Sequence, residues 1–221
     1  ILLPRPLLVK KDQIDIIGGG LQGLATAYVL LSRGEDVLIL ERDADVASSA
    51  SFANAGMLTP SQSMPWNSSS DILQILSGLG KKDSPMSMST KALPSLFLWG
   101  LKFLWNSTPK KFDFITKNLY ELGVYSIDLT KEFRNSFNLS YDESDTGTIK
   151  IYRNQENLDK AISLQDRIFK GKKNLTLLNT KQLIKKEPQL KEIEDQLSGG
   201  MFFPDDETGD AHKFCKNLED L

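Results

Sequence analysis

The residues with the clearest chemical meaning are a group of glycines and one acid near the start of the chain. Gly18-Gly19-Gly20-Leu21-Gln22-Gly23 has the spacing G-x-G-x-x-G, and Glu41 follows further along. A glycine without a Cβ lets the backbone approach a diphosphate, and a carboxylate about 20 residues on can accept hydrogen bonds from ribose hydroxyls. The pair predicts a site for an adenine dinucleotide. The acid disfavours NADP, because it would repel the 2′-phosphate.

The surrounding segments predict the elements that such a site requires. Residues 13–17 are Gln-Ile-Asp-Ile-Ile, which is typical of a buried strand and leads directly into the glycines. Apolar residues at helical spacing follow and end at Gly34, which suits a left-handed helix stop. Residues 36–40 predict a second strand that ends at Glu41. This order is that of the dinucleotide-binding βαβ unit, whereas the alternative, an ordinary glycine-rich turn, would need none of these neighbours.

A hydroxyl-rich loop after the acid indicates which dinucleotide is bound. Residues 48–60 are Ser-Ser-Ala-Ser-Phe-Ala-Asn-Ala-Gly-Met-Leu-Thr-Pro. Their backbone N–H groups and hydroxyls, close to a helix N-terminus, can surround a second phosphate and lie against a flat ring system. The order of residues 51–56 favours this role over a flexible linker. The loop therefore predicts FAD rather than NAD.

At these residues the chain resembles the small subunit of FAD-dependent D-amino acid dehydrogenases, within the wider D-amino acid oxidase and glycine oxidase group. The resemblance continues in Pro65-Trp66, in residues 147–153 and in residues 199–210, so it covers nearly the whole chain. It implies that the FAD site is formed by the βαβ unit and the hydroxyl-rich loop. The expected cofactor-binding residues are Ile14, Ile16, Ile17, Gly18, Gly19, Gly20, Leu21, Gln22, Gly23, Tyr28, Glu41, Arg42, Ser49, Ser51, Asn54, Ala55 and Gly56.

The resemblance also implies a reaction. A D-amino acid is oxidised by FAD, the imino acid hydrolyses to a 2-oxo acid and ammonia, and electrons pass to a quinone or respiratory-chain acceptor. Because the cofactor carries the difficult step, no Ser/His/Asp set is required. A basic residue should bind the substrate carboxylate, and the planar fork of Arg matches that group. Arg153 is the best candidate in this chain, with a structural role at a strand end as the alternative.

Composition limits the remaining possibilities. The chain has 27 Lys+Arg against 29 Asp+Glu and a net charge of −2, which argues against a nucleic-acid partner. The single Cys215 and single His212 exclude an internal disulfide and a Cys/His zinc site, so we expect a reducing, cytoplasmic location. His212 is expected at the surface or as a cap. The acids of residues 205–210 lack EF-hand spacing, and we expect a solvated turn and no metal site.

The most apolar stretch, Ala92–Trp105, predicts a helix that begins near Pro94. It is too short to span a bilayer, which needs about 20 residues. The helix either packs into the substrate domain or faces a membrane or quinone, and its aromatic residues together with Lys102 suit a membrane interface. Residues 1–9 lack the charged region and cleavage site of a signal peptide. In the membrane-facing case the protein would be peripheral on the inner face of the cell membrane.

The fold class expected is α/β, with a Rossmann-like FAD-binding βαβ domain interleaved with an α+β substrate domain, as in D-amino acid oxidases. The boundaries predicted are residues 1–62 for the first part of the FAD-binding domain, 63–203 for the substrate domain and 204–221 for the return to the FAD-binding domain. The further elements predicted are a short helix near 72–76, helices at 114–133, 156–169, 179–186 and 211–221, and strands at 148–152, 175–178 and 199–203.

Members of the resembled family continue well beyond Leu221, and no initiator Met is present. We therefore expect an N-terminal fragment, or the product of a decayed gene, that lacks the later strands of the FAD sheet and does not turn over D-amino acids alone. Two rival functions stay open. One is an oxygen-using glycine or sarcosine oxidase of the same fold, and the other is an inactive truncated chain that persists as a folding remnant or interaction module.

Overall fold

The computed structural model describes residues 13–68, 93–171 and 174–221. Its helices and strands in chain order are β1 (Ile14–Ile17), α1 (Leu21–Ser32), β2 (Val37–Leu40), β3 (Met57–Leu58), a 3-10 turn (Pro60–Gln62), α2 (Leu93–Asn106), α3 (Pro109–Phe137), β4 (Thr148–Tyr152), α4 (Gln155–Phe169), β5 (Thr176–Leu178), α5 (Thr180–Lys186), a 3-10 segment (Pro188–Gln196), β6 (Gly199–Phe203), β7 (Glu207–Thr208) and α6 (Ala211–Glu219). The short helix predicted near residues 72–76 lies outside the described residues.

Most of the predicted elements lie where the sequence placed them. Strands β4 and β6 have the predicted bounds. Helix α5 begins with a capping box, in which the Asn179 side chain accepts from the Gln182 N–H and the Gln182 side chain accepts from the Asn179 N–H. Helix α3 is longer than predicted at both ends, and β7 lies in a segment predicted to be only a turn.

The chain divides into two compact units. The first contains the described residues up to Leu58, Leu129–Asp145 and Glu207–Leu221, and the second contains the described parts of Thr59–Asp128 and Thr146–Asp206. The predicted division differs from these units chiefly in residues 129–145, which it places in the substrate domain, and the predicted domain boundaries stay a prediction. Packing explains the difference: the rings of Phe133 and Phe137 on α3 lie 4.3 and 5.7 Å from the ring of Tyr28 on α1.

The first unit is built around the predicted βαβ arrangement. Strands β1 and β2 are parallel, with Ile14 opposite Val37 and Ile17 opposite Leu40. Helix α1 connects them and packs against α6. The apolar core between these helices contains Leu24, Val46, Ala47, Cys215 and Leu218. Burial of this core places the N-terminus of α1 at the end of β1, next to the glycines.

The second unit contains a three-stranded antiparallel sheet in the order β4-β6-β5. The central strand β6 contributes Met201 and Phe203 to a core that also includes Leu158 of α4. In the parts of the chain that the structure describes, no helix combines the length and apolar character needed to cross a membrane.

The acidic turn predicted to be solvated is in fact buried at two positions, which corrects that expectation. Asp206 and Glu207 are each only 2% exposed. Asp206 accepts hydrogen bonds from the Ser61 N–H (3.2 Å), the Ser61 hydroxyl (2.5 Å) and the Thr148 hydroxyl (2.5 Å). Glu207 forms ion pairs with Arg134 (2.9 Å) and Lys131 (3.2 Å). Buried carboxylates are tolerated when such partners replace water.

The close packing of α1 on the glycine turn should make Gly23 intolerant of any side chain. A Cβ at Gly23 would lie 1.9 Å from the carbonyl oxygen of Gly18. Because that oxygen belongs to the backbone, relief requires the turn to open, and we expect Gly23→Ala to destabilise the protein by at least about 1–3 kcal/mol. Thermal unfolding followed by circular dichroism measures the effect as a lower Tm.

The matched control is Gly100→Ala on α2, where a Cβ would meet nothing within 4 Å. That substitution should be neutral or stabilising by roughly 0.5–1 kcal/mol, because Ala favours helices over Gly. Equal Tm values for the two variants would contradict the packing constraint at Gly23.

Candidate cofactor site

The glycine turn has the geometry that a dinucleotide site requires. Gly18 has a φ of +102°, which glycine adopts at little cost, and its N–H donates to the Leu40 carbonyl at 2.9 Å. A Cβ at Gly20 would meet only the Ser51 hydroxyl oxygen, at 3.4 Å. No acidic residue lies in the first turn of α1. The positive end of the helix dipole is therefore available to an anion.

Glu41 is joined to this turn by its carboxylate. Its Oε2 accepts the Gly19 N–H at 2.6 Å, and its Oε1 accepts the N–H groups of Arg42 and Asp43 at 2.8 and 3.1 Å. These backbone hydrogen bonds, that of Asp43 first and that of Gly19 next, hold the pKa of Glu41 below its ordinary value. The residue is thus an ionised acceptor at neutral pH, placed where β2 ends and the glycine turn begins.

The hydroxyl-rich loop is attached at both of its ends. At one end, the Ser51 hydroxyl oxygen accepts the N–H of Leu21, the first residue of α1, at 3.2 Å. At the other end, the Asn54 side chain accepts the Gly56 N–H at 2.7 Å, and the Gly56 carbonyl accepts the Gly209 N–H at 2.8 Å. The loop is therefore ordered by contacts to α1 and to the segment that leads into α6.

Gly56 cannot be replaced easily in this arrangement. Its φ is +59°, and a Cβ there would lie 2.3 Å from the carbonyl oxygen of Gly209. Beside the loop is a cavity of about 440 Å³, lined by residues 52–56, Asp142 and residues 208–211. The His212 ring contacts Phe52 edge-on, with the ring centroids 5.0 Å apart. Apart from Phe52, the loop residues that line this concave surface have small side chains or, at Gly56, none.

The structure brings only some of the predicted site residues together. Glu41 accepts the Gly19 N–H and Ser51 accepts the Leu21 N–H, so both side chains are bound to the glycine turn at the start of α1. The Asn54–Gly56 turn lies further along the loop from Ser51. Ile14 and Ile16 are half-buried in β1, whereas Ile17 is 89% exposed. Gln22, Arg42, Ser49 and Ala55 are exposed, Arg42 lies 3.7 Å from Asp43, and the Ser49 hydroxyl donates to Asp43 at 3.2 Å.

Two further predicted residues lie in other surroundings. Tyr28 packs against Phe133 and Phe137, which gives it a structural role in the first unit. Arg153 is exposed and follows β4 in the second unit. The cofactor role of Tyr28 and the carboxylate-binding role of Arg153 stay predictions.

The donor set of the first unit fits the parts of an adenine dinucleotide. A diphosphate needs N–H donors and a backbone without a Cβ, which the α1 N-terminus and Gly20 provide. A ribose needs a hydrogen-bond acceptor, which Glu41 provides at the end of β2. A second flat ring needs an ordered loop of small residues, which Ser51–Gly56 provides.

A family model described as DAO, FAD dependent oxidoreductase, matches residues 13–221. The chain belongs to this family. Its cofactor is FAD, and the prediction of FAD over NAD is confirmed. The match extends through both units of this DAO chain.

Relatives of the DAO chain agree with this assignment. It is 32% identical over 209 residues to the D-amino acid dehydrogenase of Xanthobacter autotrophicus, covering 95% of this chain and 50% of that protein. The chain thus spans about half the length of the curated relatives it matches. The resemblance noted from the sequence motifs is confirmed by relatives of that name.

Solved structures show the same fold. Glycine oxidase from Geobacillus kaustophilus has a TM-score of 0.54 at 22% identity, covering 94% of this chain and 44% of that one. FAD-bound L-α-glycerophosphate oxidase from Mycoplasma pneumoniae has a TM-score of 0.59 at 16% identity, covering 94% of this chain and 41% of that one. The predicted α/β fold of the D-amino acid oxidase type is confirmed.

One group of residues around the site was missed by the sequence reasoning. Arg134 and Lys131 of α3 form ion pairs with the buried carboxylate of Glu207, and Arg134 also donates to the Tyr141 hydroxyl. The only local signal was Glu207 itself. Its segment, Asp205-Asp206-Glu207, is so acidic that the sequence predicted a turn exposed to water. Its partners are far away in sequence, and no local pattern identifies them.

Replacing Glu41 should weaken FAD without unfolding the chain. We expect Glu41→Ala to lower FAD affinity roughly ten- to a hundredfold, because a charged acceptor and its hydrogen bonds are lost. Because backbone hydrogen bonds lower the pKa of Glu41 in the folded protein, the folding stability that its ionised carboxylate contributes is fully present above the ordinary value of 4.5 and is lost as the pH falls through the lowered pKa. Flavin fluorescence titration measures the affinity.

The control is Glu35→Ala, which removes an exposed acid just before the other end of β2. It should leave FAD affinity unchanged. If Glu41→Ala behaves like Glu35→Ala, Glu41 is only a surface acid.

Proposed function

We propose that the full-length protein is an FAD-dependent D-amino acid dehydrogenase. In this function it oxidises D-amino acids to 2-oxo acids and ammonia and passes the electrons to a quinone or another respiratory-chain acceptor. The observation that carries the proposal is the Gly18–Gly23 turn, joined by hydrogen bonds to Glu41 and Ser51 in a chain whose relatives bear that name.

Each part of the first unit has a role in this proposal. The N–H groups at the start of α1 bind the diphosphate, and Glu41 accepts from a ribose hydroxyl. The loop from Ser51 to Gly56 lies along the flavin side of the cofactor. FAD, when bound, would supply the acceptor for the hydride that leaves the substrate Cα. Arg153 is the proposed contact for the substrate carboxylate, because a guanidinium can bind both oxygens.

The purified full-length protein should be yellow, and Gly20→Val should remove the flavin absorption by placing a branched side chain where the diphosphate must approach. The wild type should reduce an electron-accepting dye with D-alanine or D-proline, and the L-enantiomers serve as controls. Colourless wild-type protein that binds NAD tightly would contradict the cofactor role. Oxygen consumption at the dye-linked rate would instead favour the glycine or sarcosine oxidase function.

We further propose that α2 attaches the protein to an anionic membrane, where a quinone acceptor is found. Along α2, Phe97, Leu98 and Trp105 are exposed, the last at 76%. The Lys111 ammonium lies 5.4 Å from the centre of the Trp105 ring. Aromatic side chains with neighbouring lysines are suited to the headgroup region, because the rings enter the interface while the charges meet anionic lipid.

The membrane proposal predicts co-sedimentation of the full-length protein with vesicles that contain phosphatidylglycerol. The double variant Leu98→Ser and Trp105→Ser should weaken this binding by about tenfold or more, because two exposed apolar groups are lost. Leu177→Ser, at an exposed apolar residue of β5, is the matched control and should bind as the wild type does. Unchanged binding of the double variant would contradict the role of α2.

A further inference from the structure

A group of four residues in the first unit is not used by the proposed function. Glu207 of β7 is almost completely buried, and its Oε2 lies 2.9 Å from the Arg134 guanidinium while its Oε1 lies 3.2 Å from the Lys131 ammonium. Arg134 also donates to the Tyr141 hydroxyl at 3.3 Å. We call Lys131, Arg134, Tyr141 and Glu207 the Glu207 cluster.

The charges of the Glu207 cluster depend on one another. A carboxylate that is removed from water is stable only when cations or donors replace the lost hydration. Glu207 raises the pKa of the Arg134 guanidinium by the hydrogen bond between them, and burial raises the pKa of the Tyr141 hydroxyl. Neutralising Glu207 therefore leaves two cations on α3 without their buried counter-ion.

The Glu207 cluster is directly connected to the hydroxyl-rich loop. In the β3–β7 pair, Glu207 lies opposite Leu58 and Thr208 lies opposite Met57. The next residue, Gly209, donates its N–H to the carbonyl of Gly56 at 2.8 Å. The acid is thus two residues from the hydrogen bond that anchors one end of the loop.

Tyr141 reinforces the same connection. Its carbonyl accepts the Asp210 N–H at 2.7 Å, and a Cβ at Gly209 would lie 2.6 Å from its ring. The segment after β7 is therefore held by the Glu207 ion pairs on one side and by the Tyr141 ring and carbonyl on the other. These contacts fix the segment whose Gly209 N–H is bonded to Gly56, the last residue of the Asn54–Gly56 turn.

We propose that Glu207 is a positioning residue for FAD, which fixes the Asn54–Gly56 turn through β7 and Gly209. The inference rests on the proposed role of that loop along the flavin. Glu207 does not touch the cofactor in this role. It sets the position of the backbone that does, and its ion pairs with Arg134 and Lys131 supply the rigidity.

Asp206 provides a matched comparison for the Glu207 inference. It is the preceding residue, it is equally buried, and it also binds side chains from distant parts of the chain. Its partners are Ser61 and Thr148 in the second unit rather than the Glu207 cluster. Asp206→Asn should therefore cost stability without changing FAD binding, whereas Glu207→Gln should change both.

The experiment titrates FAD into the apo form of the full-length wild type, Glu207→Gln and Asp206→Asn, with flavin fluorescence and the visible absorption band as readouts. We expect Glu207→Gln to raise the Kd for FAD at least tenfold and to shift the flavin band, and Asp206→Asn to keep both within twofold of the wild type. Lys131→Met changes a partly exposed residue of the Glu207 cluster and should raise the Kd for FAD about threefold. This variant tests the inference if Glu207→Gln does not fold.

Equal effects of Glu207→Gln and Asp206→Asn on FAD binding would overturn the inference, because both changes would then act through stability alone. A wild-type Kd in Glu207→Gln, or in Lys131→Met where Glu207→Gln does not fold, would also overturn it. Since no substrate is present, the result is independent of D-amino acid oxidation. A protein with the expected Kd pattern but no D-amino acid turnover would contradict the proposed function and support the positioning role.

Discussion

The cofactor site depends on the close approach of α1 to the end of β1. Because Gly23 has no side chain, α1 can lie against the Gly18 carbonyl oxygen, which occupies the space that a Cβ at position 23 would need. The helix can therefore start directly at the glycine turn. This approach places the first N–H of α1 within reach of the Ser51 hydroxyl, and it places Gly19 within reach of the Glu41 carboxylate. The same helix buries Leu24 against α6, which stabilises the position from the other side.

Two consecutive buried acids show how charge can organise a chain that passes repeatedly between two compact units. Asp206 is satisfied by hydroxyl and backbone donors within the second unit, and Glu207 by two cations within the first. Either carboxylate would be costly to bury without these groups, because protein cannot otherwise replace the lost hydration. Their burial therefore specifies which distant segments meet, in addition to any contribution to stability.

Local signals predicted most of the elements, and long-range contacts account for what was missed. The capping box at Asn179 and the glycine motif are encoded within a few residues, and both were found from the sequence. The burial of Glu207 depends on Arg134, which is 73 residues away, and the burial of Asp206 depends on Ser61, which is 145 residues away. The cofactor role of Tyr28 is implied by the family resemblance and stays a prediction, whereas its packing partner Phe133 is remote in sequence and no local pattern indicates it.

In the proposed function, the glycine turn and the hydroxyl-rich loop form one FAD site. Amide hydrogen exchange of the full-length protein, measured with and without FAD, reports on both segments in one experiment. We expect FAD to slow exchange in two separate segments, residues 18–24 and residues 51–57, and to leave exchange in the exposed first residues of α4, 155–157, unchanged. Protection of the first segment alone, or of neither, would contradict a single FAD site formed by both.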